Sequence, residues 1–149
     1  MSRTYPDRPI VGLGVVVLRG PTVLLVRRAK PPNAGAWSLP GGAQELGETA
    51  EEGARRELLE ETGVTAGPLT LIAHADVIDR DDEGRVRFHY TILDFAGIWV
   101  AGAPVAGDDV SATIWAPLDA LTIYSLTRKT CDIIDAAVSC AAGMATPAG

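Results

Sequence analysis

The sequence predicts a single α/β domain, and three observations support this. Two segments rich in Val, Ile and Leu come first, a charged helical segment bounded by Thr49 and Gly63 follows, and further strand-like segments come after it. Such an order of strands and helices is typical of folds in which helices cover a sheet. The 149 residues, of which 47% are hydrophobic, suffice for one core and leave no room for a second domain.

The first two strands are predicted from their composition and from the turn between them. Ile10 to Leu18 and Val23 to Arg27 are apolar and β-branched, and a Gly-Pro pair separates them. Arg27 and Arg28 follow one another at the end of the second segment. Because successive side chains of a strand point to opposite faces, at most one of these two arginines is expected to face a ligand cleft.

The helix that follows has a start signal and a stop signal. Thr49 precedes Glu52 by three residues, which is the spacing of a capping box, so the helix should begin at about Ala50. Gly63 should end it, since glycine takes the left-handed conformation that closes a helix without strain.

Three glutamates lie towards the end of this helix. At about 100° per residue, Glu57 and Glu61 project from the same side as Ala50 and Ala54, and Glu60 lies at the margin of that side. Carboxylates at this spacing repel one another and lose hydration when they face inward. A hard divalent cation such as Mg²⁺ or Mn²⁺ would remove both costs. The alternative is a solvated acidic face of the helix.

The rest of the chain predicts more strands and a closing helix. A polar DRDDEGR turn separates two long strand segments, Gly97 is a candidate bulge, and a loop begins at Pro117. Residues 1–141 are assigned to the domain, and the small residues of 142–149 to a frayed tail. The predicted elements are the strands Leu69 to Ile78, Val86 to Val100 and Ala112 to Trp115, and the helix Leu126 to Val138.

Charge and apolar runs exclude several classes of protein. A formal net charge of −6 argues against non-specific nucleic-acid binding, which requires Lys and Arg contacts to phosphates. No apolar run reaches the about 18 residues of a membrane span, and the N-terminus lacks a signal-peptide pattern, so a cytoplasmic protein without membrane contact is expected. Cys131 and Cys140 fall on one predicted helix roughly 13 Å apart and should stay reduced.

One segment resembles a known family. Gly42 to Val64 reads GAQELGETAEEGARRELLEETGV, which matches at every fixed position the pattern G, five residues, E, seven residues, R-E-apolar-x-E-E-x-G-apolar. This pattern is the Nudix box, and the chain therefore resembles Nudix hydrolases, which use divalent metal to hydrolyse a nucleoside diphosphate linked to another group. The resemblance implies the Nudix α/β/α sandwich around a mixed β-sheet, over nearly the whole chain.

The resemblance also implies roles for residues in and near the box. Arg56 should pair with Glu48 and steady the loop before the helix. Asp108 or Asp109 would supply an extra acid or base, or the pair simply forms a turn. Which carboxylate acts as the general base stays open. The implied ligands of Mg²⁺ or Mn²⁺ are Gly41, through its carbonyl, and Glu57, Glu60 and Glu61, the three glutamates being also the candidate catalytic residues.

Substrate contacts are less specified. By resemblance Arg28 would reach the substrate phosphates. Trp37 could stack on a base or belong to the core, and Glu45, an acid in the loop before the helix, could contact substrate or be solvated surface. The stretches NAGAWSLPGG and HYTILDF resemble ADP-ribose and sugar-nucleotide hydrolases. ADP-ribose, cleaved to AMP and ribose 5-phosphate, is therefore the expected substrate, with a MutT-like triphosphate hydrolase and a non-catalytic binding module as alternatives. A homodimer is among the assemblies that the resemblance allows.

Overall fold

The computed structural model describes residues 3–30, 33–107 and 109–145. Eight strands, one 3-10 segment and two α-helices form within these ranges. In chain order they are β1 (Ile10–Arg19), β2 (Thr22–Arg28), β3 (Trp37–Ser38), β4 (Gly41–Ala43), α1 (Ala50–Thr62), β5 (Thr65–Ala66), β6 (Thr70–Arg80), β7 (Val86–Ala101), β8 (Val110–Pro117), the 3-10 segment Leu118–Tyr124 and α2 (Arg128–Ala145).

The sheet is mixed, as the resemblance implied, and β1 lies at its centre. β1 pairs in parallel with β7 over nine residues, from Ile10 opposite Tyr90 to Leu18 opposite Ile98. On its other side β1 pairs with β4 near its start and with β2 near its end, both antiparallel. β6 extends the sheet beyond β7, and β8 extends it beyond β2.

β1 is buried on both faces, and each helix packs over one of them, so the sheet has a separate core on each side. Val15 and Val17 face α1, whereas Val16 and Leu18 face α2, which explains the unbroken apolar run in β1. The α1-side core also contains Leu58, and the α2-side core also contains Ile134. Both inner sides of the sandwich are thus closed by aliphatic packing, and the ends of the strands remain available for a site.

The local signals of α1 are confirmed. The Thr49 hydroxyl accepts a hydrogen bond from the Glu52 amide at 3.1 Å, and the Thr49 amide donates to the Glu52 carboxylate at 3.2 Å. At the other end Gly63 has a φ of 72°, and its amide donates to the Leu59 carbonyl. The helix is therefore fixed in register at both ends.

Several predicted details were wrong. Gly97 is not a bulge, because it pairs with Val17 in unbroken register. The register shifts against β7 lie on its antiparallel partners, two in β6 and one in β5. A Cβ at position 97 would lie 2.7 Å from the end of the Leu69 side chain, so a larger residue there would displace Leu69. The segment after Pro117 is a 3-10 turn rather than an open loop.

The closing helix is longer than predicted. It continues to Ala145, so residues 142–145 of the expected tail are helical, and 146–149 lie outside the described residues. Cys131 and Cys140 both lie on it as partly buried thiols. In the described part of the chain, neither helix combines the length and apolarity that crossing a membrane requires.

Candidate active site

The first candidate carboxylate lies where α1 crosses β4. The Glu57 side chain is 18% exposed and its carboxylate lies directly over Gly42. A Cβ at position 42 would be 2.6 Å from Glu57 Oε1, closer than unbonded atoms can approach. Gly42 is thus required for space, and it allows the helix carboxylate to approach the strand backbone.

The second carboxylate is held by the neighbouring glycine. Glu61 Oε1 accepts a hydrogen bond of 2.7 Å from the Gly41 amide. Burial raises the pKa of Glu61 to about 7, and the negative charges of Glu57 and Asp109 act in the same direction. Because the negative charge of Glu57 makes ionisation of Glu61 costlier, a cation between the sheet and α1 would relieve the repulsion.

Arg56 connects the helix to the loop before it. Its guanidinium binds Glu48 with two hydrogen bonds, of 2.7 and 3.0 Å, as the resemblance implied. The same group donates to the Ala43 carbonyl at 2.9 Å, to Glu57 at 2.8 Å and to Glu60 at 3.2 Å. The pKa of Glu48 is lowered to about 2, most strongly by the hydrogen bonds from Arg56 and next by the hydrogen bond from the Glu45 backbone amide. Arg56 therefore fixes the Glu57 carboxylate relative to β4.

Glu60 and Glu45 face outward. The Glu60 side chain is 59% exposed, and Glu45 reaches Arg56 only at 3.6 Å. Across the described ranges no three His, Cys, Asp or Glu side chains are gathered as a metal site. Glu57 and Glu61, four residues apart, share the inner side of α1, whereas helix rotation places Glu60 at its solvent margin. Metal binding by all three glutamates stays a prediction.

The loop before β8 packs on the end of α1. The Gly107 amide donates to the Glu61 carbonyl at 2.9 Å, and a Cβ at Gly107 would approach the Glu60 carbonyl. This contact was not predicted from sequence. Asp109 forms an ion pair of 2.9 Å with Lys30, which lowers its pKa, and its charge still acts on Glu61. Asp108 lies outside the described residues.

The two arginines of β2 differ in their surroundings. Arg27 lies over the Trp37 ring at 5.6 Å, and Trp37 packs edge-on against Tyr124 on the α2-side core. The structure thus favours the core alternative for Trp37. The positive charge of Arg28 instead opposes the rise in the pKa of Glu61. Of the two, Arg28 is the one whose charge acts on Glu61, and its contact with substrate phosphates stays a prediction.

The site fits a hard divalent cation. Two inward carboxylates lie against a strand of small residues, and burial and mutual repulsion raise the pKa of one of them. Oxygen donors of this kind, together with water and phosphate oxygens, are the ligands that Mg²⁺ and Mn²⁺ take in proteins. Glu57, Glu61 and the Gly41 carbonyl are the groups that could bind it.

Comparison with known proteins identifies the family. The NUDIX domain model matches residues 8–134. The chain belongs to the Nudix family. Among Nudix relatives, the ADP-ribose pyrophosphatase of Methanocaldococcus jannaschii is 38% identical over 101 residues, which are 68% of this chain and 57% of that protein. The matched part of the chain spans 57% of the length of this relative and 56% of the length of another, the putative mutator protein MutT4 of Mycobacterium tuberculosis.

Solved Nudix structures share the fold. A MutT NUDIX hydrolase from Burkholderia pseudomallei superposes with a TM-score of 0.74 at 30% identity, covering 87% of this chain and 98% of the other. The NUDIX domain of Shewanella oneidensis NrtR, cocrystallised with ADP ribose, superposes with a TM-score of 0.75 at 22% identity, covering 91% of this chain and 90% of that one. At that identity the second likeness concerns the fold alone.

Proposed function

We propose that this Nudix protein is a pyrophosphohydrolase that requires Mg²⁺ or Mn²⁺ and cleaves ADP-ribose or a related nucleotide sugar to AMP and a sugar phosphate. The observation that carries the proposal is the pair of inward carboxylates, Glu57 and Glu61, held against Gly42 and Gly41. The likeness to an ADP-ribose pyrophosphatase supports the choice of substrate. A net charge of −6 supports a small nucleotide rather than nucleic acid as the partner.

The chain's own residues supply binding and orientation. Glu57 and Glu61 would hold the cation, Arg56 and Glu48 keep Glu57 in place, and Arg28 adds a positive charge for a phosphate. A bound divalent cation neutralises phosphate charge and lowers the pKa of a water molecule. In the overall reaction the water oxygen bonds to one phosphorus, the bridging oxygen leaves with the other, and a site carboxylate accepts the proton.

A substrate panel tests the proposal. ADP-ribose, sugar nucleotides, dinucleoside polyphosphates, and normal and oxidised nucleoside triphosphates are compared by kcat/KM with Mg²⁺. We expect ADP-ribose to lead and Glu61→Gln to lower its turnover by orders of magnitude with the fold intact. A triphosphate that leads by tenfold, about 1.4 kcal/mol of transition-state preference, would replace ADP-ribose with the MutT-like alternative. Absence of turnover on every substrate would favour the binding module.

Metal binding is tested separately from turnover. Mg²⁺ or Mn²⁺ should raise the Tm of the wild type by mass action, and raise it less in Glu57→Gln. Glu51→Gln is the matched control, because Glu51 lies in the first turn of α1 and is half-exposed beside Arg55. Equal shifts in the wild type and Glu57→Gln would indicate incidental surface binding. Cytoplasmic localisation and a homodimer stay predictions.

A further inference from the structure

A strip of small residues crosses two strands next to the site. Gly12 and Gly14 of β1 pair with Ala43 and Gly41 of β4, respectively. Gly12 and Gly14 belong to the even positions of β1, which face α2, and both are only half-buried. On the α2 side these two strands therefore carry no large side chain of their own at these positions, and their backbone is partly accessible.

Three residues of β7 border this strip. A Cβ placed at Gly12 would contact Ile92 at 3.4 Å and Tyr90 at 3.8 Å, so both side chains flank the strip on the same face. Asp94 follows in the same row as Gly14, and its carboxylate lies over the Gly14 Cα, where any Cβ would collide with Asp94 Oδ1. The Tyr90 and Ile92 side chains thus border the strip, and the Asp94 carboxylate ends it.

Asp94 is buried without a hydrogen-bond partner. The residue is 4% exposed, its carboxylate oxygens still reach solvent, and no residue in the described ranges donates a hydrogen bond to them. Burial raises its pKa, and Lys129 of α2 acts in the opposite direction through its charge. Native proteins pair nearly all such groups because an unpartnered buried carboxylate is destabilising. The carboxylate is therefore suited to a donor that the protein itself does not supply.

The sheet register connects Asp94 to the proposed catalytic carboxylates. Asp94 is opposite Gly14, Gly14 is opposite Gly41, and the Gly41 amide donates to Glu61. Two strand spacings separate Asp94 from Gly41, which is about 10 Å. Glu61 reaches Gly41 from the α1 side, whereas Gly14 and Asp94 lie on the α2 side. A nucleotide with its phosphates at Glu61 would therefore pass round β4, which pairs with β1 alone among the described strands, to place its base next to β7. A negative Asp94 would repel the phosphates, so it should contact the base.

We propose that Asp94 determines base specificity by accepting a hydrogen bond from an exocyclic amino group of the nucleobase, which lies over the Gly12 and Gly14 strip beside Tyr90 and Ile92. The proposal rests on the proposed function in taking a nucleotide as the substrate. Adenine carries such a group at position 6 and guanine carries one at position 2, whereas hypoxanthine carries neither. Binding of AMP therefore tests the amino group at position 6, binding of GMP tests the one at position 2, and IMP, which lacks both, is the control for each.

Equilibrium binding tests the contact without turnover. The three monophosphates are titrated calorimetrically into the wild type, Asp94→Leu and Asp94→Asn. In the wild type AMP or GMP should bind at least about tenfold tighter than IMP, because a polar group left unpaired rejects the analogue that lacks the donor. Asp94→Leu should abolish this difference, and Asp94→Asn, which retains one acceptor, should reduce it. Asp76→Leu, at an exposed acid of β6, should leave it unchanged.

Thermal stability distinguishes a ligand contact from a structural role. Removal of an unpartnered buried carboxylate should raise the Tm of Asp94→Leu or Asp94→Asn by about 3 °C. A structural role predicts a lower Tm in both variants, and that result would overturn the proposal. So would a preference over IMP below about twofold in the wild type, retention of the preference in Asp94→Leu, or no measurable binding of the three nucleotides.

The outcomes separate this proposal from the proposed function. If ADP-ribose is not hydrolysed but AMP or GMP still binds tighter than IMP through Asp94, the reaction is wrong and the role of Asp94 stands. If ADP-ribose is hydrolysed and the base preference is absent, the role of Asp94 is wrong and the reaction stands.

Discussion

The raised pKa of Glu61 predicts an unusual dependence of stability on pH. An acid whose pKa is raised on folding retains its proton in the folded state while the unfolded chain has lost it, so stability falls as pH rises between the two values. For Glu61 these values are 4.5 and about 7. This difference in pKa corresponds to about 3 kcal/mol in the free energy of unfolding, and solvent screening reduces it to about 2 to 3 kcal/mol. Glu61→Gln cannot ionise and can still accept the Gly41 hydrogen bond.

The expected result is a widening difference between the two proteins. Urea unfolding is measured with a chelator present at several pH values from 4.5 to 8. Over this range the free energy of unfolding of Glu61→Gln should rise by about 2 to 3 kcal/mol relative to that of the wild type. Mg²⁺ at high pH should stabilise the wild type more than the variant, because the cation binds the ionised carboxylate. A difference that stays constant over this range would refute the inward, repelled position of Glu61.

Two further predictions concern the groups around the carboxylates. Gly42→Ala should lower kcat at least about tenfold, because its Cβ displaces the Glu57 carboxylate, whereas Gly67→Ala, with only ordinary contacts, should leave kcat unchanged in the same assay. Arg56→Lys retains the charge but loses the two-pronged contact with Glu48, and should cost about 1 to 3 kcal/mol in urea unfolding at pH 7. That cost should shrink as pH falls from 4.5 to about 2, because Glu48 becomes protonated, and a cost independent of pH would contradict the pairing.

The parts of the site that sequence predicts are those fixed by local geometry. Thr49 and Gly63 set the ends of α1, and the turn per residue then places Glu57 and Glu61 on the inner side and Glu60 at its margin. These relations involve neighbours within a few turns, so they follow from the helix alone. The family pattern added the pairing of Arg56 with a residue of the preceding loop.

The parts that sequence does not predict depend on distant pairing. β4 has three residues, too few to show a strand period, yet it positions Glu61 through Gly41. The docking of Gly107 on α1 depends on how the loop after β7 returns to the sheet. Asp94 carried one signal, an acid within the apolar run TILDFAGIW, but its place over Gly14 follows only from the parallel pairing of β1 with β7.

That parallel pairing also bears on how the protein folds. Its partners are about eighty positions apart along the chain, so closing the central ladder carries a large loop entropy before any contact is gained. Folding should consequently be slow for a domain of this size, since long-range pairing lowers folding rates. On the ribosome, the apolar Val15–Leu18 segment stays without its main partner until β7 has been synthesised. Association with chaperones or aggregation should therefore concentrate at this early strand.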